Sequence, residues 1–393
     1  MKALDFKDMT VLVVDDMFNM RRTIKNMLRH IGFESVIEAE SGQRAWEIIS
    51  STPKKIDMVV SDWNMPELPG LELLRRVRDS ARHRDTPFII ITAEVSEAKI
   101  VQAAETEVDG YLIKPFVAKA LEEKINAIFD NRENPPPFEK YLRVGDNAQE
   151  AKEYDKAIEA FKEALRIRPD SARARCAIGE AYKLKGNMAE AEKWLAEAIR
   201  TNPQYTKAYE SMSQVYEAAG KPDLAVKTLE KAAEISPNNP ERSLEIGKLY
   251  LKQGNKEKAD HALQIALKNA GHNAAIHTEI GEVYLTSGDD TRAAAAFSSS
   301  INIIEDVHVY NRLAIALRKK GQYDEAYKAY QKALKLSPDD EVLYFNIGRL
   351  YMEQDLFKEA EQAFLQALKL DPEFNECKAM LQKLKETAGG RAR

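Results

Sequence analysis

The chain has 393 residues, 44% hydrophobic and 31% charged, with a net charge of −5 and two cysteines. That length exceeds one ordinary core and implies two or three domains, and the composition is that of a soluble globular protein. An isoelectric point near 5.9 leaves no electrostatic footprint for nucleic acid, and no run of about 18 apolar residues is present to insert into a membrane.

Residues 1–130 alternate short apolar runs with amphipathic stretches, the pattern of a repeating β–α unit with a parallel sheet. Strands are expected at 10–14, 35–39, 56–61, 87–92 and 109–113. Helices are expected at 17–30, 41–50, 70–79, 95–105 and 117–130. Five of each suit a small α/β domain with a doubly wound parallel sheet. The opening MKALDFKDMT carries acids and lacks an apolar stretch, unlike a secretory signal. Cys176 and Cys377 show no metal-type spacing and read as reduced thiols of a cytoplasmic protein.

Four of the apolar runs lead into chemistry. VLVV ends at Asp15 and Asp16, MVVS at Asp62, FIII at Thr92, and YLI at Lys114. Parallel strands would line these ends along one sheet edge, where open α/β sheets bind ligands. Three carboxylates brought together repel unless a cation intervenes, and hard oxygen donors select Mg²⁺. The pattern reads as an aspartate built to carry a phosphoryl group. Trp63 is expected at the solvent edge of this site.

The segments VVDD (13–16), SDWNMPELPG (61–70), TAE (92–94) and GYLIKPF (110–116) resemble the receiver domain of bacterial response regulators, the chemotaxis (CheY-like) type most closely. The resemblance implies a flavodoxin-like sheet with Asp62 as phosphoacceptor. It also implies Mg²⁺ held by Asp16 directly, by Asp15 mostly through water, by Asp62, and by the backbone carbonyl of Asn64. Lys114 and Thr92 would meet the phosphoryl oxygens, and Pro115 would follow a cis bond that aims the lysine. Thr92 and Tyr111 match a hydroxyl–aromatic switch that remodels the face formed by residues 94–130. Asn64 and Glu94 match positions that tune the access of water to the acyl phosphate.

The segment NRENPPP (131–137) follows, and its prolines favour a stiff, extended spacer. Beyond it the sequence repeats. Small residues recur at Gly145, Gly179, Ser213, Gly247, Gly281, Ala314 and Gly348, spaced 34, 34, 34, 34, 33 and 34 residues apart. Each is followed by an alanine (157, 191, 225, 259, 293, 326, 360) and, four residues later, by a large apolar residue such as Phe161, Leu195 or Phe364. Small residues let two helices approach closely while the large one fills the gap beside them. Proline closes five of the seven units, with Gly271 and Glu305 in the remaining two. These units resemble tetratricopeptide repeats. Seven copies over 138–374 imply an all-α solenoid, with a capping helix at 375–388 and a disordered tail at 389–393. Groove contacts are expected from Arg173, Glu210, Gln214, Lys248, Lys252, Asn311, Arg318, Phe345, Arg349 and Met352.

Together these features suggest a two-component response regulator, phosphorylated on Asp62 by a histidine kinase with Mg²⁺. Its repeats would bind an unidentified protein or peptide. The only enzymatic chemistry expected is self-catalysed phosphotransfer to Asp62 and its hydrolysis. Neither nucleic acid nor membrane insertion is expected, and dimerisation through the receiver stays open. So do two other readings: a constitutive scaffold or phosphate sink, and a repeat protein that regulates another response regulator.

Overall fold

The structure, a computed structural model, describes residues 6–52, 54–66, 68–80, 82–83, 85–93, 108–133 and 135–391. The chain divides into two compact units, residues 1–242 and 243–393.

In the first unit, β1 (Thr10–Val14), β2 (Ser35–Ala39), β3 (Met58–Asp62), β4 (Phe88–Thr92) and β5 (Gly110–Ile113) are parallel, in the order β2-β1-β3-β4-β5. β1, β3 and β4 are buried throughout. Strands covered on both faces are unbroken apolar runs for that reason. Alternate residues point to opposite sides. Leu12, Val14, Val59 and Ile90 pack under α2 (Gly42–Ser51) and α3 (Gly70–Asp79). Val11, Val13, Val60 and Ile91 pack under α1 (Phe18–Ile31) and α4 (Ala118–Glu133). β5, at the sheet edge, alternates instead and leaves Tyr111 and Ile113 exposed. The helix expected at 95–105 lies outside the described residues.

The proline segment is shorter than a free spacer over 131–137 would be. α4 runs on to Glu133, and α5 (Pro137–Glu150) takes Pro137 as its first residue. A proline there gives up no helical hydrogen bond, because the first amides of a helix have no partner within it. α5 pairs with α6 (Tyr154–Ile167), α7 (Ala172–Leu184) with α8 (Met188–Thr201), and α9 (Thr206–Ala218) with α10 (Pro222–Ile235).

α11 (Pro240–Lys252) straddles the division between the units and meets α12 (Lys256–Asn269) through Gly247 and Leu263. The second unit continues with the pairs α13 (Ala274–Ser287) and α14 (Asp290–Ile301), α15 (Val307–Lys319) and α16 (Tyr323–Leu336), and α17 (Glu341–Glu353) and α18 (Phe357–Leu370). α19 (Asn375–Arg391) follows and passes the expected end at 388, so that helix occupies most of the stretch expected as a disordered tail.

The repeat signature has a direct steric meaning. A Cβ placed on Gly348 would lie 2.4 Å from Phe364 Cε1, and one on Gly281 would lie 2.6 Å from Phe297 Cε1. The turn inside each hairpin needs a left-handed residue. Glycine supplies it at positions 186, 220, 254, 288 and 321, whereas the first and seventh hairpins use Lys152 (φ 60) and Asp355 (φ 58).

Candidate functional site

The register sets Asp62 beside Ile91 and Thr92 beside Ile113, so the carboxyl ends of β3, β4 and β5 share one edge with the end of β1. Asp15, just past β1, is fully buried, and Asp62 and Thr92 are nearly so. Lys114 reaches back from β5 and joins the two acids. Its Nζ lies 2.5 Å from Asp62 Oδ1 and 3.1 Å from Asp15 Oδ2. The Lys114–Pro115 bond is cis, and the Lys114 amide donates to Thr92 O at 2.8 Å.

The remaining carboxylate oxygens are held by backbone amides. Asn64 N donates to Asp62 Oδ2 and Met17 N to Asp15 Oδ1, each at 2.8 Å. Because Asp15 turns inward to cap that amide, Asp16, the next residue along, falls on the outside and is exposed. The three carboxylates therefore do not crowd together as the sequence suggested. Among the described residues no three His, Cys, Asp or Glu groups are gathered closely enough to enclose an ion.

The electrostatics are uneven. Burial pushes the Asp15 carboxyl above its ordinary range; Met17 N and Lys114 pull it back in part, and the Asp62 charge raises it further. Burial alone would lower Lys114, but hydrogen bonds to Asp62 and Asp15 and their charges outweigh it and hold the ammonium above its usual value. Two buried carboxylates share one ammonium, and Asp15 stays raised despite it. An oxygen-rich, under-neutralised pocket of this kind suits a hard divalent cation, so the donor chemistry fits Mg²⁺.

Supports appear that the sequence reading missed. Arg21 donates from Nη1 to Asp15 O at 2.7 Å. Gly70 opens α3 directly on the site strand: a Cβ there would lie 2.0 Å from Asp62 O, and its amide donates to Trp63 O at 3.0 Å. Gly70 closes the motif SDWNMPELPG, so a signal for it was present; nothing in the sequence singles out Arg21. Trp63 does not stand at the solvent edge. It is buried with Met65, Leu68 and Leu71, because the loop after β3 folds its apolar residues under α3. Tyr111 is exposed, with Lys124 Nζ 5.9 Å from its ring centre. Glu94 lies outside the described residues.

A family profile described as response regulator receiver domain matches residues 11–126. One described as tetratricopeptide repeat matches residues 148–214, 216–278 and 317–384. Over 122 residues the chain is 44% identical to the chemotaxis protein CheY of Pseudomonas aeruginosa, covering 31% of this chain and 97% of that protein. It is 41% identical over 130 residues to CheY-3 of Vibrio cholerae, covering 33% and 98%. A crystal structure of the APC/C hetero-tetramer Cut9–Hcn1 aligns with a TM-score of 0.40 at 20% identity, spanning 68% of this chain and 52% of that one. Sheet order, edge residues and the matches to the receiver profile and to the two CheY proteins define the class, a response regulator. The chain belongs to the response regulator receiver family and the tetratricopeptide repeat family, with a CheY-like receiver followed by the repeats.

The expected groove residues divide. Arg173 is exposed and paired with Glu139 at 3.1 Å, and Glu210 accepts from the buried Arg242 at 2.8 Å. Gln214 is exposed and accepts from Lys183, while Lys248 is held by Glu245 and Glu279. Asn311 accepts from Asn346 at 3.0 Å; Arg349, half-buried, lies over the Phe345 ring. Two expectations fail. Phe345 is buried between the rings of Phe364 and Phe374, and Arg318 is buried with its guanidinium on Glu353. Both side chains turn into the hairpin packing rather than away from it.

Proposed function

We propose that the chain is a two-component response regulator in which Asp62 takes a phosphoryl group from a histidine kinase, with Mg²⁺, and thereby controls protein binding by the repeats. The convergence of Asp15, Asp62 and Lys114 at one sheet edge carries this reading. An Asp62 oxygen forms a bond to phosphorus while the P–N bond to the kinase imidazole breaks and the imidazole leaves. Water later attacks the same phosphorus, restoring the carboxylate and releasing inorganic phosphate. Asp16, exposed in this structure, would turn in to join Asp15, Asp62 and the Asn64 carbonyl in holding Mg²⁺, whose chemistry is to offset the charge of the transferring group.

Lys114 can follow that charge, moving from a carboxylate oxygen to a phosphoryl oxygen. Thr92, nearly buried beside it, would donate its hydroxyl to the phosphoryl group, and Tyr111 would rotate inward from its exposed position to take up the space. Asn64 and Glu94 would set how readily water reaches the acyl phosphate. The partners are a histidine kinase and a protein or peptide bound by the repeats, and the chain itself acts in the cytoplasm. Among the described residues no helix is long and apolar enough to cross a membrane.

The test is mass spectrometry after treatment with a small acyl phosphate and Mg²⁺, followed by pull-down with wild type and Asp62→Asn. Label on Asp62 and a partner whose capture changes with the donor are expected. Partner capture that is identical with and without donor, in both proteins, would favour a constitutive scaffold or phosphate sink instead.

A further inference from the structure

Each hairpin leans on the one before it. α6 packs on α7, α8 on α9, α12 on α13, α14 on α15 and α16 on α17. The residue just before the small position of each of these repeats is buried as a result. Ile178, Met212, Ile246, Ile280, Leu313 and Ile347 fill that place, and none is more than 7% exposed. The first repeat breaks the rule, because the receiver and not a hairpin stands ahead of it. There the same place on α5 is held by Val144, which is 49% exposed, and Tyr141, one turn earlier, is exposed as well. Ala148, half-buried, and Ala151, exposed at the end of the helix, continue the line. Residues 141, 144, 148 and 151 recur at steps of three and four and form one apolar stripe along α5. Ala148 is small where five of the other repeats have tyrosine and the sixth has Leu317. A helix laid along this stripe can therefore come close.

Shape and charge both point to a second α5 as that helix. The large residues of the stripe stand toward its N-terminal end and the small ones toward its C-terminal end. A copy running the opposite way sets Tyr141 against Ala151 and Val144 against Ala148, twice over. Lys140, Arg143 and Glu150 are exposed along one flank of the stripe, and among the described residues none of the three has an ion-pair partner. Lys140 and Arg143 stand in the N-terminal half of α5 and Glu150 is its last residue, the reverse of the order a helix dipole favours. An antiparallel copy corrects this. Like flanks meet across a two-fold axis, so each Glu150 falls between Lys140 and Arg143 of the other copy.

We propose that α5 is a self-association surface: two copies of the chain pair through antiparallel α5 helices about a two-fold axis, each supplying the cover that the first repeat lacks. One helix face is small for an interface, so the dimer is weak and reversible. The surface lies outside the receiver. The pairing is therefore distinct from a receiver dimer, and it does not depend on the phosphorylation proposed for Asp62.

The test is sedimentation of the full chain over a concentration series, without phosphodonor. A monomer–dimer equilibrium is expected for wild type. Val144→Glu should raise its dissociation constant by at least about tenfold, because two carboxylates would be buried without partners, while the melting temperature stays that of wild type. Lys140→Glu and Glu150→Lys should each weaken the dimer by about threefold to tenfold, since two symmetry-related exposed pairs change at once. Mixing those two variants should restore it, because each acid then meets a cation again. Wild type that stays monomeric up to the highest soluble concentration overturns the proposal. So does a dimer that Val144→Glu leaves unchanged, which would place the contact elsewhere. Two charge variants that fail to associate when mixed overturn the antiparallel arrangement.

Discussion

Replacing Gly348 by alanine tests the steric logic of the repeats. The added methyl would sit 2.4 Å from Cε1 and 2.6 Å from Cδ1 of Phe364. That ring is fully buried and has little room to swing. It lies 5.8 Å from the Phe345 ring, which packs 5.0 Å from Phe374. Two effects oppose each other. Glycine to alanine inside a helix gains about 0.8–1.0 kcal/mol, whereas overpacking a filled core costs about 1–3 kcal/mol. With a rigid ring as the obstacle the upper part of that range applies, for a net loss of about 2 kcal/mol. In a unit the size of residues 243–393 this corresponds to a fall in melting temperature of about 4–8 °C. Gly179 supplies the contrast. A methyl there would meet Leu195 Cγ at 2.7 Å and Cδ2 at 3.0 Å, and an aliphatic chain can change rotamer. The two terms should nearly cancel, leaving Gly179→Ala within about 0.5 kcal/mol of wild type. Thermal melts and amide exchange of α17 and α18 measure the difference. A Gly348→Ala protein more stable than wild type would refute the close-approach argument, since only helix propensity would then be acting.

Other expectations follow from single residues. Lys152→Gly should stabilise the first hairpin by about 0.5–1 kcal/mol, because a side chain at φ 60 is strained where the other hairpins use glycine; urea unfolding monitored by exchange of α5 and α6 would show it. Glu72 gives a pH dependence. Burial first, with Glu241 adding to it, holds its folded value above the ordinary 4.5. Its contribution to stability is thus full below that value and is lost as pH rises through the folded value. Glu72→Gln should therefore gain on wild type at neutral pH, and the gain should vanish below about pH 4; a gain independent of pH would contradict the assignment. Burial pushes the Cys176 thiol up to about 12 and the Cys377 thiol up to about 11. Native protein at pH 7.5 (roughly) should leave both unlabelled by maleimide, and labelling should appear only on unfolding.

What the sequence made legible follows from where each signal is stored. β1, β3 and β4 are buried on two faces and carry their identity as local apolar runs, so their positions came within a residue or two. The repeats carry a steric constraint once per hairpin, and that constraint is periodic. Asp62, Asp15 and Lys114 were legible because each stands at the end of such a run. That Asp15 turns inward while Asp16 stays exposed was not legible, since it depends on one backbone hydrogen bond to Met17 that no pattern encodes. Trp63 was misjudged for a similar reason: proximity to a site says nothing about which way a loop folds. Phe345 and Arg318 lie on first helices, where position alone does not separate a side chain facing the groove from one facing the next hairpin.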